Sequence, residues 1–293
     1  MRAFDYARPA TVSEAVDLLA RHRGAARVLA GGTDLVVGLR QYTLTPRLVV
    51  DVKGLDDLRP EVTGTGDAVV VGATAVMADL VRSPLVRRHF PDLVEAMDAV
   101  GSIQIRNRAT LAGNICHASP AADTVPPMLV HDAQVHVSGP TGDRRLALLD
   151  VILGPGRTAL ELGEIVTAVE LGIPRQPTGA AFARMTRRRG VDLATVNVSC
   201  SVGADGVTRF AYGAVAPRPF LVADDTGTLA DPGAGEDQKA SVLEELIADA
   251  SPITDVRASR EYRVAMLRVL SRRALARSID RLARALAAGG RAR

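Results

Sequence analysis

Val28-Leu29-Ala30-Gly31-Gly32-Thr33-Asp34-Leu35 is the stretch on which the fold of this 293-residue chain turns. An apolar run from Ala26 to Ala30 meets two adjacent glycines, and a helical pattern follows from Thr33 to about Arg40. The unit reads as strand, glycine turn, helix. Two adjacent glycines let the backbone turn tightly, expose several N–H groups and admit a bulky anion close to the main chain. The positive end of the following helix favours the same anion. Taken alone, such a fragment reads as an ordinary turn with a helix cap; as a cradle, it would take a diphosphate. Asp34 should not touch phosphate, because like charges repel. It is expected instead to hold backbone amides and shape the loop, with Thr33 offering a hydroxyl. An intact G-x-G-x-x-G is absent: the nearest candidate, Gly64-Thr65-Gly66, continues to Val69 rather than to glycine, which disfavours a Rossmann dinucleotide site.

Outward from that unit, Val12, Ala15, Val16 and Leu19 share one face of a helix from Thr11 to Ala20, with Glu14 three residues after Thr11 in the manner of a capping box. Leu48 to Val52 and Ala68 to Gly72 are largely β-branched and bounded by Pro46 and Gly66, so they read as buried strands. Helices follow at about Val76 to Val81 and Pro91 to Val100, then a loop-rich stretch from Gly101 to Pro127. Gln134 to Ser138 alternates and passes Gly139-Pro140 and Gly142 into Arg145 to Leu149, a hairpin signal. The strand-like Ile165 to Ile173 stops at Pro174 and Pro177, the best candidate for a domain boundary. Thr195 to Val202 and Thr208 to Val215 read as an antiparallel pair, and Asp224 to Asp237 as loop. Leu267, Leu270, Ala274, Leu275, Ile279, Leu282 and Leu286 trace one face of a C-terminal helix.

A second segment carries chemistry: Arg106-Asn107-Arg108-Ala109-Thr110-Leu111-Ala112-Gly113-Asn114-Ile115-Cys116-His117-Ala118-Ser119-Pro120-Ala121-Ala122-Asp123. It is dense in small and hydrogen-bonding residues between apolar runs, and a buried loop of that kind needs polar partners for its backbone. A flavin with its ribityl hydroxyls and diphosphate would supply many of them. Asp123 is suited to accept from ribityl hydroxyls, Thr110 and Asn114 to donate to phosphate oxygens. Cys116 and His117 invite a metal or nucleophile reading, but adjacent residues usually point apart and no third ligand or base is evident, so packing or loop hydrogen bonding is the better reading. In a third segment, Ile165 and Val166 are candidates to flank an adenine ring, and Arg184 to meet flavin oxygens or phosphate. On the residues alone these read as core and as part of a charged loop.

Composition excludes several classes. With 47% hydrophobic and 24% charged residues the chain is a globular one, neither disordered nor membrane-bound. The formal charge of +3 is small, and its basic excess gathers in eleven arginines from Arg257 to Arg293, read as a solvated helix face rather than a nucleic-acid surface. Cys116 and Cys200 form no CxxC pair and cannot by themselves hold an iron–sulfur cluster or a closed zinc site. A reduced, cytoplasmic setting fits them best. No apolar leader and no run of eighteen apolar residues occurs, so neither export nor a membrane span is expected.

Ala30-Gly31-Gly32-Thr33-Asp34, Ile105-Arg106-Asn107, Thr110-Leu111-Ala112-Gly113-Asn114, Ala118-Ser119-Pro120-Ala121-Ala122-Asp123 and Glu164-Ile165 resemble, in order and spacing, the flavin subunits of molybdenum hydroxylases of the xanthine dehydrogenase and carbon monoxide dehydrogenase type. The resemblance runs from Phe4-x-Tyr6-x-x-Pro9 to Ala258-Ser259-Arg260-Glu261-Tyr262-Arg263. It implies an α+β chain with a vanillyl-alcohol oxidase-type (PCMH-type) FAD-binding fold over 1–175, in subdomains of about 1–56 and 57–175. A C-terminal α+β domain of antiparallel sheet and helices would occupy 176–293.

The same resemblance implies that Leu29, Ala30, Gly31, Gly32, Thr33, Asp34 and Leu35 hold the FAD diphosphate, that Thr110, Gly113 and Asn114 reach diphosphate and ribityl, and that Ser119 and Asp123 meet the flavin chain. Val166 would sit by the adenine, and Val100 and Arg184 near the flavin. Partners implied are a large molybdenum-cofactor subunit and a small [2Fe-2S] subunit in a dimer of heterotrimers, with NAD+, oxygen or a quinone taking the electrons. Two positions depart from the pattern: Ala112 replaces a glycine, which is harmless at negative φ and crowded at positive φ, and Arg184 stands where relatives often carry lysine. No side chain is assigned as general acid or base. A free-standing FAD-dependent oxidoreductase and a non-catalytic assembly protein retaining the fold are the alternative readings.

Overall fold

The structure is a computed structural model and describes residues 1–290; Arg291 and Arg293 of the arginine run lie outside the described residues. The chain opens with β1 (Asp5–Ala7), α1 (Val12–Arg21), β2 (Ala26–Leu29), α2 (Leu35–Arg40) and β3 (Leu48–Asp51). Their three strands form a parallel sheet in the order β1-β3-β2. Parallel neighbours need crossovers, and the two helices supply them. The Thr11 hydroxyl caps α1 by accepting from Glu14 N at 3.2 Å, while the Glu14 carboxylate reaches back to Ala10 N at 2.8 Å. Ala15, Val16 and Leu19 are the buried face, as the spacing predicts.

A second unit follows: β4 (Val62–Gly64), β5 (Ala68–Gly72), α3 (Met77–Leu80), α4 (Pro84–His89), α5 (Pro91–Ala99), α6 (Ile103–Arg106), α7 (Leu111–His117), α8 (Val125–Val130), β6 (Gln134–Gly139), β7 (Gly142–Ala147), α9 (Leu148–Val151), β8 (Ile152–Gly154), β9 (Arg157–Thr158) and β10 (Ile165–Gly172). Strands β4-β5-β10-β6-β7 make an antiparallel sheet in that order. The stretch expected to be loop from Gly101 to Pro127 instead holds α6, α7 and the start of α8. Caps account for the first two: Ser102 Oγ accepts from Ile105 N at 3.4 Å, and Thr110 Oγ1 from Gly113 N at 2.9 Å. Helices of four and seven residues are too short to show an apolar period.

The last unit is a four-stranded antiparallel sheet, β11 (Thr178–Met185), β12 (Val196–Gly203), β13 (Thr208–Gly213) and β14 (Phe220–Asp224), with α10 (Glu236–Leu246) and α11 (Arg260–Gly290). Phe182 to Met185, expected in a charged loop, lie in β11; the loop begins after them. Along β12, Val196, Val198, Cys200 and Val202 join a core completed by Leu267, Leu270, Ala274, Leu275 and Leu282 of α11. The alternate residues Asn197, Ser199 and Ser201 face the other way, as a period of two requires. Ser199 Oγ donates to Asp92 Oδ2 of α5 at 2.7 Å, and Asp92 Oδ1 pairs with His131 Nε2 at 2.8 Å. The sheet is therefore covered on both faces, by α11 on one and by α5 and α8 on the other.

The arginines of α11 depart from a purely solvated face. Arg263 is buried, Arg277 and Arg281 both pair with Glu95 of α5, and Arg268 binds Glu244 of α10. Long arginine stems lie along apolar surface while their heads reach carboxylates on neighbouring elements, a placement that helical spacing alone does not reveal. Leu286, assigned to the apolar face, is exposed near the helix end. No helix among the described residues is long and apolar enough to cross a membrane.

Candidate functional site

The glycine turn lies at the C-terminal ends of β2 and β3, and its two glycines are needed for different reasons. Gly32 has φ +77°, a conformation that side-chain-bearing residues adopt only at a cost. Gly31 is squeezed against the second segment: a Cβ there would stand 2.8 Å from the Arg108 carbonyl carbon, closer still to its oxygen, and 3.1 Å from Ala109 Cα. Arg108 Nε in turn donates to the Gly31 carbonyl at 3.3 Å. This close approach leaves the main-chain N–H groups of Gly31, Gly32, Thr33, Asp34 and Leu35 with no acceptor among the described residues. Five consecutive free donors form a concavity for an anion.

Asp34 does not hold backbone amides with its side chain. Its carbonyl accepts from Gly38 N at 2.9 Å, while its carboxylate is more than half exposed and lies 4.0 Å from His117 Nε2 at the end of α7. Thr33 Oγ1 reaches only Asp34, at 3.5 Å. The acid is therefore a surface link between the glycine turn and α7. Leu29 and Ala30 lead into the turn, half-buried, and Leu35 begins α2.

Helix α7 stands beside the turn. Its cap Thr110 is buried and bridges to Val76, while Met77 N donates to Ala109 O at 2.8 Å. The Thr110 hydroxyl oxygen accepts from Gly113 N, and its proton has no acceptor among the described residues and can be donated to a ligand. Asn114 Oδ1 accepts from Thr124 Oγ1 at 2.8 Å. Its amide nitrogen meets no acceptor among the described residues. Ala112 is helical and carries no positive φ, so the methyl group in place of the family's glycine meets no backbone obstacle. At the other end Ala118 turns left-handed, φ 50°, and releases the chain toward Ser119.

Ser119 Oγ accepts from Ala121 N at 3.3 Å and shapes the turn that delivers Asp123. Asp123 is buried, and both its oxygens are engaged from the last sheet. Oδ2 accepts from Arg184 Nη1 at 2.5 Å and Oδ1 from Asn197 Nδ2 at 3.0 Å. Burial pushes the Asp123 carboxyl up from its ordinary range, with Arg184 and Asn197 pulling against it. Thr124, which binds Asn114, is the chain neighbour of Asp123, so the backbone itself links α7 to the ion pair. Val100 ends α5 and its carbonyl accepts from Arg106 Nη1 at 3.1 Å. Val166, by contrast, is buried in the first core.

The turn, α7 and the Asp123–Arg184 pair are thus connected in series: Gly31 rests on Arg108 ahead of α7, Asn114 of α7 binds Thr124, and Asp123 beside Thr124 binds Arg184 of the last sheet. Cys116 and His117 are exposed, and no cluster of His, Cys, Asp or Glu suited to a metal occurs among the described residues. Sequence reasoning missed Asn197. The alternation of Val196-Asn197-Val198-Ser199 was the available signal, since it separates a polar face from an apolar one.

With this geometry in view, the comparisons are specific. Residues 2–175 match the family described as the FAD binding domain in molybdopterin dehydrogenase, and residues 180–278 the CO dehydrogenase flavoprotein C-terminal domain. The chain is 32% identical to the carbon monoxide dehydrogenase medium chain of Afipia carboxidovorans, over 94% of this chain and 96% of that one. It is 28% identical to the xanthine dehydrogenase FAD-binding subunit of Escherichia coli O157:H7, over 98% and 99%. A chain in the solved carbon monoxide dehydrogenase of Hydrogenophaga pseudoflava superposes with a TM-score of 0.87 at 29% identity, over 96% of this chain and 98% of that one.

The chain belongs to the FAD-binding subunits of the molybdenum hydroxylases of xanthine dehydrogenase and carbon monoxide dehydrogenase type. Its fold is the PCMH-type flavin fold, its cofactor is FAD and its class is oxidoreductase. The residues fit that cofactor: five free amides at a glycine turn suit a diphosphate, and the uncommitted donors of Asn114 and Arg184 suit an acceptor-rich ligand.

Proposed function

We propose that this chain is the electron-exit subunit of its complex. It receives electrons from the [2Fe-2S] clusters of a small partner subunit, which draw them from a large molybdenum-cofactor subunit, and hands them to NAD+ or another acceptor. The assembly is a dimer of heterotrimers in the cytoplasm. The division into 1–175, with subdomains of about 1–56 and 57–175, and 176–293 belongs to the same reading; two hydrophobic cores support the boundary near 175, and the first of them runs through both subdomains. Partners are supported by relatives whose own names call them a medium chain and a subunit.

Bound FAD would supply the redox chemistry, since a flavin can accept electrons singly from an iron–sulfur cluster and pass them on singly or as a hydride. The chain's residues bind and orient it. Gly31 to Leu35 would offer their amides to the diphosphate, with Leu29 and Ala30 leading into the turn; Thr110, Gly113 and Asn114 would face them, Val100, Ser119, Asp123 and Arg184 would meet the rest of the flavin chain, and Val166 would sit by the adenine. No proton transfer by a side chain is required of them. The observation that carries the reading is the row of free amides from Gly31 to Leu35.

The test is an absorption spectrum of the full chain with and without added FAD, followed by co-purification from its native host. Bound flavin together with molybdenum and iron–sulfur partners is expected. Bound flavin on a solitary chain would point to a free-standing oxidoreductase, and a colourless chain that cannot be reconstituted to an assembly protein.

A further inference from the structure

Asn197 belongs to none of the motifs that mark the cofactor site, yet it is fully buried beside it. It is the direct cross-strand partner of Arg184, so amide and guanidinium stand side by side on one face of the sheet. Its Nδ2 donates to Asp123 Oδ1 at 3.0 Å and to Ala122 O at 3.4 Å. Its Oδ1 has no partner among the described residues, and Gly213 makes room for it: a Cβ at 213 would overlap that oxygen and lie 3.2 Å from Asn197 Cγ. A buried amide with one orphaned end is tolerated for what its other end does.

That other end fixes Asp123 so that the second carboxylate oxygen meets Arg184 Nη1. An arginine carries five N–H donors. Only one of Arg184's finds an acceptor among the described residues, while its side chain remains 16% exposed. The other donors are thus left without a protein acceptor and are free for a ligand. The planar guanidinium presents its donors in a rigid fork, where a lysine would offer a rotatable point charge.

We infer that Asn197 is a positioning residue that aims the Arg184 guanidinium at bound FAD through Asp123 and thereby raises the flavin's midpoint potential. The inference rests on these residues belonging to the FAD site. A fixed cation in a poorly solvated site favours the form of its neighbour that gains negative charge on taking up electrons. Were Arg184 released, Asp123 would become the nearest charge and the bias would reverse.

The experiment is a spectroscopic redox titration of the full chain loaded with FAD. In the FAD-loaded chain, Asn197→Ala and Arg184→Gln are each expected to lower the reduced-to-oxidised ratio at fixed potential about tenfold, about 30 mV for a two-electron couple, and Arg184→Gln also to bind FAD more weakly. Arg184→Lys, which keeps the charge, should lie nearer the unmodified chain. The double variant should shift no further than Arg184→Gln alone, because both changes break one chain of contacts. Asn197→Ala with bound FAD and an unaltered potential, or additive shifts in the double variant, would overturn the inference. Should Asn197→Ala not fold, Asn197→Ser keeps a small polar donor; an unaltered potential there overturns it equally. An unmodified chain that takes up no FAD overturns that reading of the site, and this inference with it.

Discussion

Gly31 rests directly on the Arg108 backbone: a Cβ at 31 would stand 2.8 Å from the Arg108 carbonyl carbon. This contact joins the glycine turn to the segment that leads into α7, so the two walls of the proposed diphosphate cradle are set by one glycine. Gly31→Ala is expected to push them apart and weaken FAD binding at least about tenfold, as roughly 1.4 kcal/mol of lost contact would. Gly32→Ala meets a different obstacle, its left-handed φ, at a cost of ~1–2 kcal/mol in stability. Titration by flavin fluorescence quenching, with thermal unfolding alongside, separates the two effects. Equal FAD affinity for Gly31→Ala and the unmodified chain would contradict the cradle.

Glu95 is the clamp between α5 and the last sheet. Its carboxylate accepts from Phe182 N at 3.0 Å and pairs with both Arg277 and Arg281. Arg277 Nη1 also donates to Phe182 O at 2.8 Å, which ties α11, β11 and α5 at one point. Glu95→Ala leaves a strand amide and two guanidinium groups without their acceptor, and should cost about 2–3 kcal/mol. Glu95→Gln should lose less, because it keeps an acceptor oxygen. Urea unfolding measures both, and equal midpoints for all three chains would show that the clamp is idle.

Much of this architecture is legible in the sequence, and particular residues show where legibility ends. Leu48 to Asp51 and Ala68 to Gly72 announce themselves because buried strands concentrate β-branched residues. By contrast β1, three residues long and largely exposed, exists through its pairing with β3 some forty positions away. Local propensity carries no trace of such a partner. Helix α7 was hidden in a run of small polar residues because its cap, not its periodicity, makes it a helix. At the site, glycines and the Thr110-to-Asn114 pattern were readable from backbone requirements. The partners of Asp123 were not, since they depend on the register that sets Arg184 opposite Asn197. Asp34 shows the same limit: like-charge repulsion says what it avoids, and only the fold brings His117 within 4.0 Å of it.

Acid should loosen the start of α11. Arg263 is buried, donates through Nη1 to Thr195 O at 2.6 Å and through Nη2 to Asp255 Oδ1 at 2.7 Å. Partial burial pushes the Asp255 carboxyl up, but the amides of Arg257 and Ala258 and the Arg263 guanidinium more than offset this and hold it at about 2. A carboxyl depressed in the folded state stabilises above its ordinary value of ~4 and loses that contribution as pH falls through about 2. The contribution is on the order of 2 kcal/mol. Asp255→Asn should therefore be less stable near neutrality by about that amount and show a flatter decline between pH ~4 and ~2, followed by circular dichroism. Parallel curves for the two chains would rule out this anchor.

Ala112 offers a test of whether the family's glycine at that place serves the cofactor or only the backbone. Here the residue is buried, second in α7, and in ordinary helical conformation. A glycine would relieve nothing there and would enlarge the freedom of the unfolded chain, at a cost of up to ~1 kcal/mol in a helix. The hydrogen bond from Gly113 N to Thr110 Oγ1 limits the loss by holding the first turn. Ala112→Gly is therefore expected to lower the melting temperature by a few degrees while leaving FAD affinity within about twofold, since 0.4 kcal/mol is all that twofold represents. A variant that bound FAD much more tightly would mean that the Ala112 methyl group crowds the cofactor, and that α7 must yield to admit it.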